Sequence, residues 1–414
     1  MPSNPAPGRA RGSYADGFEP LARVFADHLE TRREIGASCA VFRRGELVVD
    51  LWGGLADAES ARPWEARTRV CVFSVTKGLA AMALHLLADR GRLEWDAPVA
   101  TYWPGFARAS KASMTVRTLL GHRGGLAYLD QKLALSATFD PARRPEVLEA
   151  LETQRPAWEP GRDQGYHAIT YGMYAKELFE RVAGEPMGAF LRRELFEPLG
   201  SDARLGTGPE CDADVATLYP PSTGARIAKT LVTTLLDPRS NEARVTRASL
   251  AKDSIGRRAF LNPHIDLPHG MAAYNDVAVR RAELPWASAT ASAQGVARAY
   301  LPFASRGEHA GRRYLREQSF THAYGRDGWS ERDLVLQKPL GWSCGFLKEE
   351  RHVFSPVAES FGHAGMGGAL GWCDPVHELT FGYVMNRMDF RVRSPRALAL
   401  CHALYDCPAI RDRR

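Results

Sequence analysis

A serine and a lysine three residues apart, Ser74 and Lys77, stand at the head of the apolar run CVFSVTKGLAAMALHLLADRG (71–91). On an α-helix such a pair shares one face, with Cβ atoms about 5–6 Å apart. Ser74 falls at the helix start, where free backbone N–H groups and the positive dipole end favour an alkoxide or a substrate oxyanion. Lys77 falls one turn later among Leu79, Ala80, Ala81 and Met82. Burial there disfavours the ammonium and lowers its pKa. A lysine kept neutral accepts a proton from a serine hydroxyl, so the pair reads as an activated nucleophile for acyl transfer. The bland alternative is a serine that caps the helix and a lysine that reaches out to water.

Other residues could join this chemistry. GYHAITYG places Tyr166 in a Gly-flanked loop just before a helix, and FGHAGMGGALG places His363, Ala364 and Gly365 on a Gly-rich strand edge. Tyr171 and Tyr174 have helical spacing and read as packing. GWSCG (341–345) satisfies the G-x-S-x-G elbow of another hydrolase class, which needs a buried strand before the serine and a helix after it. The flanks VLQKPL and FLKEERHVF supply neither, so Ser343 is a decoy. A triad of His363 with Asp374 is a weaker option, because a Gly-rich run suits a backbone-lined wall better. His122 reads as a structural histidine bonded to a turn, and His85 as a core histidine. Trp342 and Trp372 could line an acyl pocket or simply pack. No metal-ligand spacing and no dinucleotide fingerprint occurs, so neither a metal nor any other cofactor is expected.

With these motifs in this order, the chain resembles the serine β-lactamase/penicillin-binding-protein superfamily. Within it, the class C-like branch that includes the family VIII carboxylesterases is most similar. The resemblance runs over about residues 20–405 and rests on FSVTKG, on YHA in the place of Tyr-x-Asn, and on HAG in the place of Lys-Thr-Gly. The phrases LLGHRGGL, WEPG and DPVHELTFGYVMNRM support it. The resemblance implies that Ser74 is acylated and that Lys77 and Tyr166 share the work of general base and acid. It implies an oxyanion hole made by the backbone N–H groups of Ser74 and Met366, and a substrate wall of His363, Ala364 and Gly365, to which Trp342 is added. Two departures carry information. Ala168 lacks the amide that the lactamase asparagine offers, and His363 with Ala364 lacks the charge and hydroxyl that hold a substrate carboxylate. Both changes spare the acyl-transfer machinery and remove recognition of an acylamino-carboxylate. A short-chain carboxylic ester is therefore the expected substrate. A β-lactamase or D-amino-acid peptidase, an acyltransferase, and a non-enzymatic scaffold on the same fold are the alternatives.

The surrounding sequence must build a frame for these residues. The 414 residues, 45% hydrophobic and 25% charged, suit a soluble globular protein of two lobes. A net charge of +6 without a basic run gives no nucleic-acid face, and no stretch approaches the roughly 20 apolar residues of a membrane span. Seven scattered cysteines without a CxxC pair suggest reduced thiols and a cytoplasmic location. Oligomeric state is not legible. Residues 1–17 read as a disordered leader, 18–34 as a helix, 36–54 as a hairpin turning at Arg43-Arg44-Gly45-Glu46, and 75–88 as a buried helix. Helical spacing returns at 168–184 and 290–305, the stretch 205–290 is irregular, and the end alternates like strands before a closing helix. The expected fold is α+β. One antiparallel sheet comes from both chain ends (18–75 and 338–410), a mostly helical lobe is inserted (76–337), and the site lies between them.

Overall fold

The computed structural model describes residues 9–31, 33–222, 224, 232, 235–268, 270–348, 354–391 and 393–411. The hairpin forms where the turn residues place it. Arg44 and Gly45 take φ of 51° and 81° between β2 (Gly36–Arg43) and β3 (Glu46–Asp57). Two consecutive left-handed residues give the tight turn whose twist matches antiparallel strands. β1 (Arg11–Tyr14) pairs with β3, Arg11 opposite Trp52 and Tyr14 opposite Val49. This corrects the expectation of a disordered leader as far as residue 17. The open edge of β3 offers backbone partners that composition alone does not reveal.

The rest of the sheet comes from the other end of the chain. It comprises β4 (Gly328–Ser330), β5 (Leu340–Trp342), β6 (Leu347–Lys348), β7 (Phe361–Ala364), β8 (Leu370–Asp374) and β9 (Leu379–Met385). The strand order is β1-β3-β2-β9-β8-β7-β6-β5-β4, with a two-residue strand, Arg62–Pro63, added beside β3. Every pairing in it is antiparallel. The two chain ends meet where β9 pairs with β2, from Leu379 opposite Arg43 to Met385 opposite Ala37. β4 begins ten residues before the expected lobe boundary at 338, because an edge strand reading Gly-Trp-Ser carries no apolar alternation to announce it.

Helices cover both faces. α1 (Glu19–Glu30) buries Leu21, Ala22, Phe25 and Leu29 at helical spacing and packs on α6 (Pro395–Asp406). On the opposite face lie α2 (Val75–Asp89) and α5 (Ala293–Ala299), with α3 (Thr170–Ala183) against α2. Every residue of α2 from Val75 to Leu87 is buried. Gly78 permits this: a Cβ there would stand 2.5 Å from the Tyr300 hydroxyl. Within the irregular stretch, Ser240 and Ser254 cap two short helices, Asn241–Leu250 and α4 (Ile255–Leu261). The expected helix at 290–305 is broken: Thr290–Ala291 pairs with Val70–Cys71, and Pro302 follows the end of α5. All seven cysteines are buried and unbridged. Among the described residues no helix is long and apolar enough to cross a membrane, and no group of three metal-ligating side chains gathers.

Candidate active site

The nucleophile's position is set by a short strand and a strained residue. Val70–Cys71 pairs with Thr290–Ala291, and the Val72 N–H donates to the Ala289 carbonyl at 2.9 Å. Phe73 then adopts φ 46° and packs its ring 5.0 Å from that of Tyr274. A left-handed phenylalanine is unfavourable in isolation and persists only where packing fixes it. Ser74 follows at the N-cap of α2, yet its side chain makes no capping bond. The Ser74 Oγ instead accepts from Lys77 Nζ at 3.0 Å and from the Tyr166 hydroxyl at 3.1 Å. Serine, lysine and tyrosine thus meet at one oxygen.

Lys77 does not reach for water. It is fully buried, and desolvation holds its pKa well below the usual lysine value. Its second bond goes to the Trp286 carbonyl at 3.0 Å. A neutral amine has two N–H donors and one lone pair. Its two N–H groups match the two acceptors, Ser74 Oγ and the Trp286 carbonyl, and the lone pair remains to take the Ser74 proton, whereas an ammonium has a third N–H to satisfy. Ala168, where the related motif has asparagine, adds no side-chain acceptor. Gly172 in α3 lets the Trp286 backbone come this close, since a Cβ there would stand 2.4 Å from the Trp286 nitrogen. No sequence motif marks Trp286, because the contribution is a carbonyl that any residue carries.

Tyr166 is positioned from three sides. Its N–H donates to the buried Asp333 carboxylate at 3.1 Å, which also accepts from the N–H groups of Val335 and Leu336. Burial pushes the Asp333 pKa up to about 6 against these donors. The Trp342 indole lies parallel to the phenol, 5.5 Å between centroids and 7° between planes. His122 packs beside both, 5.2 Å from Tyr166 and 4.0 Å from Trp342. Its Nδ1 accepts from the His167 N–H at 3.0 Å, so the ring holds its proton on Nε2. His122 is thus the turn-bonded histidine that the sequence suggests, but it also abuts the tyrosine. Trp342 is buried and reaches the site through Tyr166 rather than as an open pocket wall. Trp372 faces away, stacked between Phe381 and Tyr405 under α6.

His363 and Ala364 end β7 beside α2, Gly365 follows the strand, and Met366 opens the short turn after it. Among the described residues, no backbone carbonyl takes up the N–H of Ser74 or of Met366. The His363 Nδ1 donates to the Ala364 carbonyl at 2.8 Å, leaving Nε2 an acceptor without a hydrogen-bond partner among the described residues. Burial, then the neighbouring Lys77, holds its pKa well below the usual histidine value. His363 therefore brings no positive charge to the position where the related motif has lysine. It is not paired with Asp374, which bonds His377 and Tyr405. The Ser343 hydroxyl is buried without a hydrogen-bond partner among the described residues, and Ser343 leads into β6 rather than a helix. The His85 Nε2 donates to the Cys344 carbonyl at 2.9 Å in the core, as its place inside α2 suggests.

A family profile described as Beta-lactamase matches residues 21–403. The chain belongs to the β-lactamase family. Within it, "Esterase/beta-lactamase LipL" of Mycobacterium tuberculosis is 33% identical over 387 residues, covering 92% of this chain and 83% of that one. "Esterase EstB" of Burkholderia gladioli is 32% identical over 194 residues, 44% of this chain and 49% of its own. A solved family VIII carboxylesterase superposes with a TM-score of 0.83 at 31% identity, covering 96% of this chain and all of the other. A penicillin-binding protein homologue from Caulobacter crescentus superposes with 0.82 at 31% identity, over 96% of this chain and 99% of its own. This β-lactamase-family chain therefore has the α+β architecture expected of it, with one sheet built from both chain ends.

Proposed function

We propose that this protein hydrolyses carboxylic esters, with short acyl groups, through an acyl-enzyme on Ser74. The observation that carries the reading is the convergence of Lys77 Nζ and the Tyr166 hydroxyl on Ser74 Oγ, at 3.0 and 3.1 Å. In acylation the neutral Lys77 takes the Ser74 proton, with Tyr166 as the linked phenol, and Oγ bonds to the ester carbon. The carbonyl oxygen becomes an oxyanion between the backbone N–H groups of Ser74 and Met366, one such donor being worth about 10²–10³ in rate. The C–O bond to the alcohol then breaks, and the alcohol oxygen takes a proton from the Lys77–Tyr166 pair. Deacylation repeats the sequence with water as nucleophile.

The substrate class follows from what the walls lack. A β-lactam or peptide substrate presents a carboxylate and a side-chain amide. His363 is held neutral and Ala168 has no hydrogen-bonding group, so neither position supplies the charge or the amide that such a substrate would meet there. The esterases among the relatives support the same reading. Two measurements test it. A fluorophosphonate should label Ser74 alone, as read by peptide mass. p-Nitrophenyl acetate should turn over far faster than a chromogenic cephalosporin. Label on another residue, or faster cephalosporin turnover, overturns the proposal. Product analysis with added alcohol checks the acyltransferase alternative: an ester product would assign transfer instead of hydrolysis.

A further inference from the structure

In the ester-hydrolase reading, the departing alcohol oxygen takes its proton beside the Tyr166 hydroxyl. The group attached to that oxygen must then lie along the Tyr166 ring. His122, Trp342 and His363 contact this ring at centroid distances of 5.2, 5.5 and 6.0 Å, and all three are buried. They form the buried inner wall of the ring's surroundings. A fourth ring, Phe260, sits 6.4 Å from Tyr166, tilted by 53°, and is only half-buried. It extends the aromatic surface from the reacting hydroxyl outward.

Phe260 is held in place. It lies on α4, whose N-cap Ser254 accepts from the Arg257 N–H at 3.1 Å. Just past the helix, the Asn262 side chain donates to the Leu129 and Gln131 carbonyls and accepts from the Leu133 N–H at 2.7–3.0 Å. The Arg258 guanidinium lies over the Tyr128 ring at 3.5 Å and is paired with Asp130. The Arg258 and Asp130 charges are thus spent on each other, and Phe260 presents an apolar ring beside Tyr166.

We propose that Phe260 is the specificity residue for the alcohol half of the ester, and that it selects alcohols carrying an aromatic ring over aliphatic ones of similar size. This rests on the ester-hydrolase reading. A ring edge or face against Phe260 is worth about 0.5–1.5 kcal/mol beyond simple burial, or roughly a 2- to 12-fold preference. The test compares benzyl acetate with butyl acetate, since both release a weakly acidic primary alcohol and share one acetyl-enzyme. The kcat/KM ratio of benzyl to butyl should fall about 5-fold in Phe260→Ala and in Phe260→Leu, with fluorophosphonate labelling of Ser74 and the acetyl-enzyme hydrolysis rate unchanged. Phe260→Leu keeps an apolar side chain of intermediate size if the smaller variant unfolds. Equal loss on both esters, or a ratio that tracks acyl length in a matched benzyl acetate to benzyl butyrate series, overturns the proposal. Absence of any acetyl-enzyme in the parent protein overturns the ester-hydrolase reading itself and is a separate result.

Discussion

The Trp342 indole lies flat against the Tyr166 phenol, 5.5 Å away and within 7° of parallel. An offset stack of this kind removes two degrees of freedom from the tyrosine. Its hydroxyl can then meet Ser74 Oγ without searching. Trp342→Phe keeps a ring in the stack and should retain most of the activity. Trp342→Ala should lower kcat by about 10²-fold, the usual result of a misplacement near 1 Å, with a smaller change in KM. Steady-state kinetics on p-nitrophenyl acetate check this. Equal kcat in both variants would remove Trp342 from the positioning role.

Lys77 should show its function as an instability. Its folded pKa is depressed by burial, so between that value and about 10.5 the unfolded chain binds a proton that the folded chain lacks. Stability therefore rises with pH across this window, and at neutral pH the lysine opposes folding. Lys77→Met should abolish ester turnover and raise Tm at pH 7, with the gain shrinking toward pH 10.5. Activity of the parent should rise with pH through the depressed pKa and fall below it. Thermal unfolding across pH and a kcat/KM profile measure both. A drop in Tm at pH 7 for Lys77→Met would contradict the buried neutral amine.

Asp333 carries a related prediction with the opposite sign. Its carboxyl is pushed up from 3.8 to about 6 by burial. Between those values the folded state holds a proton that the unfolded state has released, so this group lowers stability as pH rises through the window. Asp333→Asn keeps an oxygen for the three N–H donors and should flatten that loss, with Tm above the parent at pH 8 and converging near pH 4. Activity should persist. Asp333→Ala frees the Tyr166 N–H and should cost activity as well as stability, by about 1–3 kcal/mol for each buried donor left unmatched. Circular-dichroism melts of the two variants at pH 4, 6 and 8 decide it.

Two serines separate the reading from its decoy. Ser74→Ala should reduce ester turnover to background and leave the fold intact. Ser343→Ala should retain full turnover, and its Tm should hold or rise, because the buried Ser343 hydroxyl has no hydrogen-bond partner among the described residues to lose. Loss of turnover in Ser343→Ala alone would reverse the assignment of the nucleophile.

The residues that sequence reasoning gathered are those whose chemistry depends on side-chain type at short range. Ser74 and Lys77 are one helical turn apart, so α2 alone brings them together. The apolar run that follows dictates that the helix, and the amine with it, is buried. Turn chemistry likewise marks the hairpin at Arg44 and Gly45, and periodicity marks α1 and α3. The contacts that escaped this reading are made by backbone or across large separations. Trp286 contributes a carbonyl and Asp333 an acceptor for a main-chain N–H, 209 and 167 residues from the side chain or amide each serves. β1 and β4 are edge strands, which pair through backbone groups and carry no pattern.

What the sequence alone determined is the set of reactive groups, their local spacing and the α+β frame, because helical and strand periods are local properties written in side-chain polarity. Tertiary structure alone decided that Tyr166 reaches the serine, that Lys77 finds a carbonyl in the core, and that Trp342 supports the phenol instead of facing the cleft. Those outcomes depend on how the antiparallel sheet and α2 pack in space, and packing of distant surfaces leaves no signature along the chain.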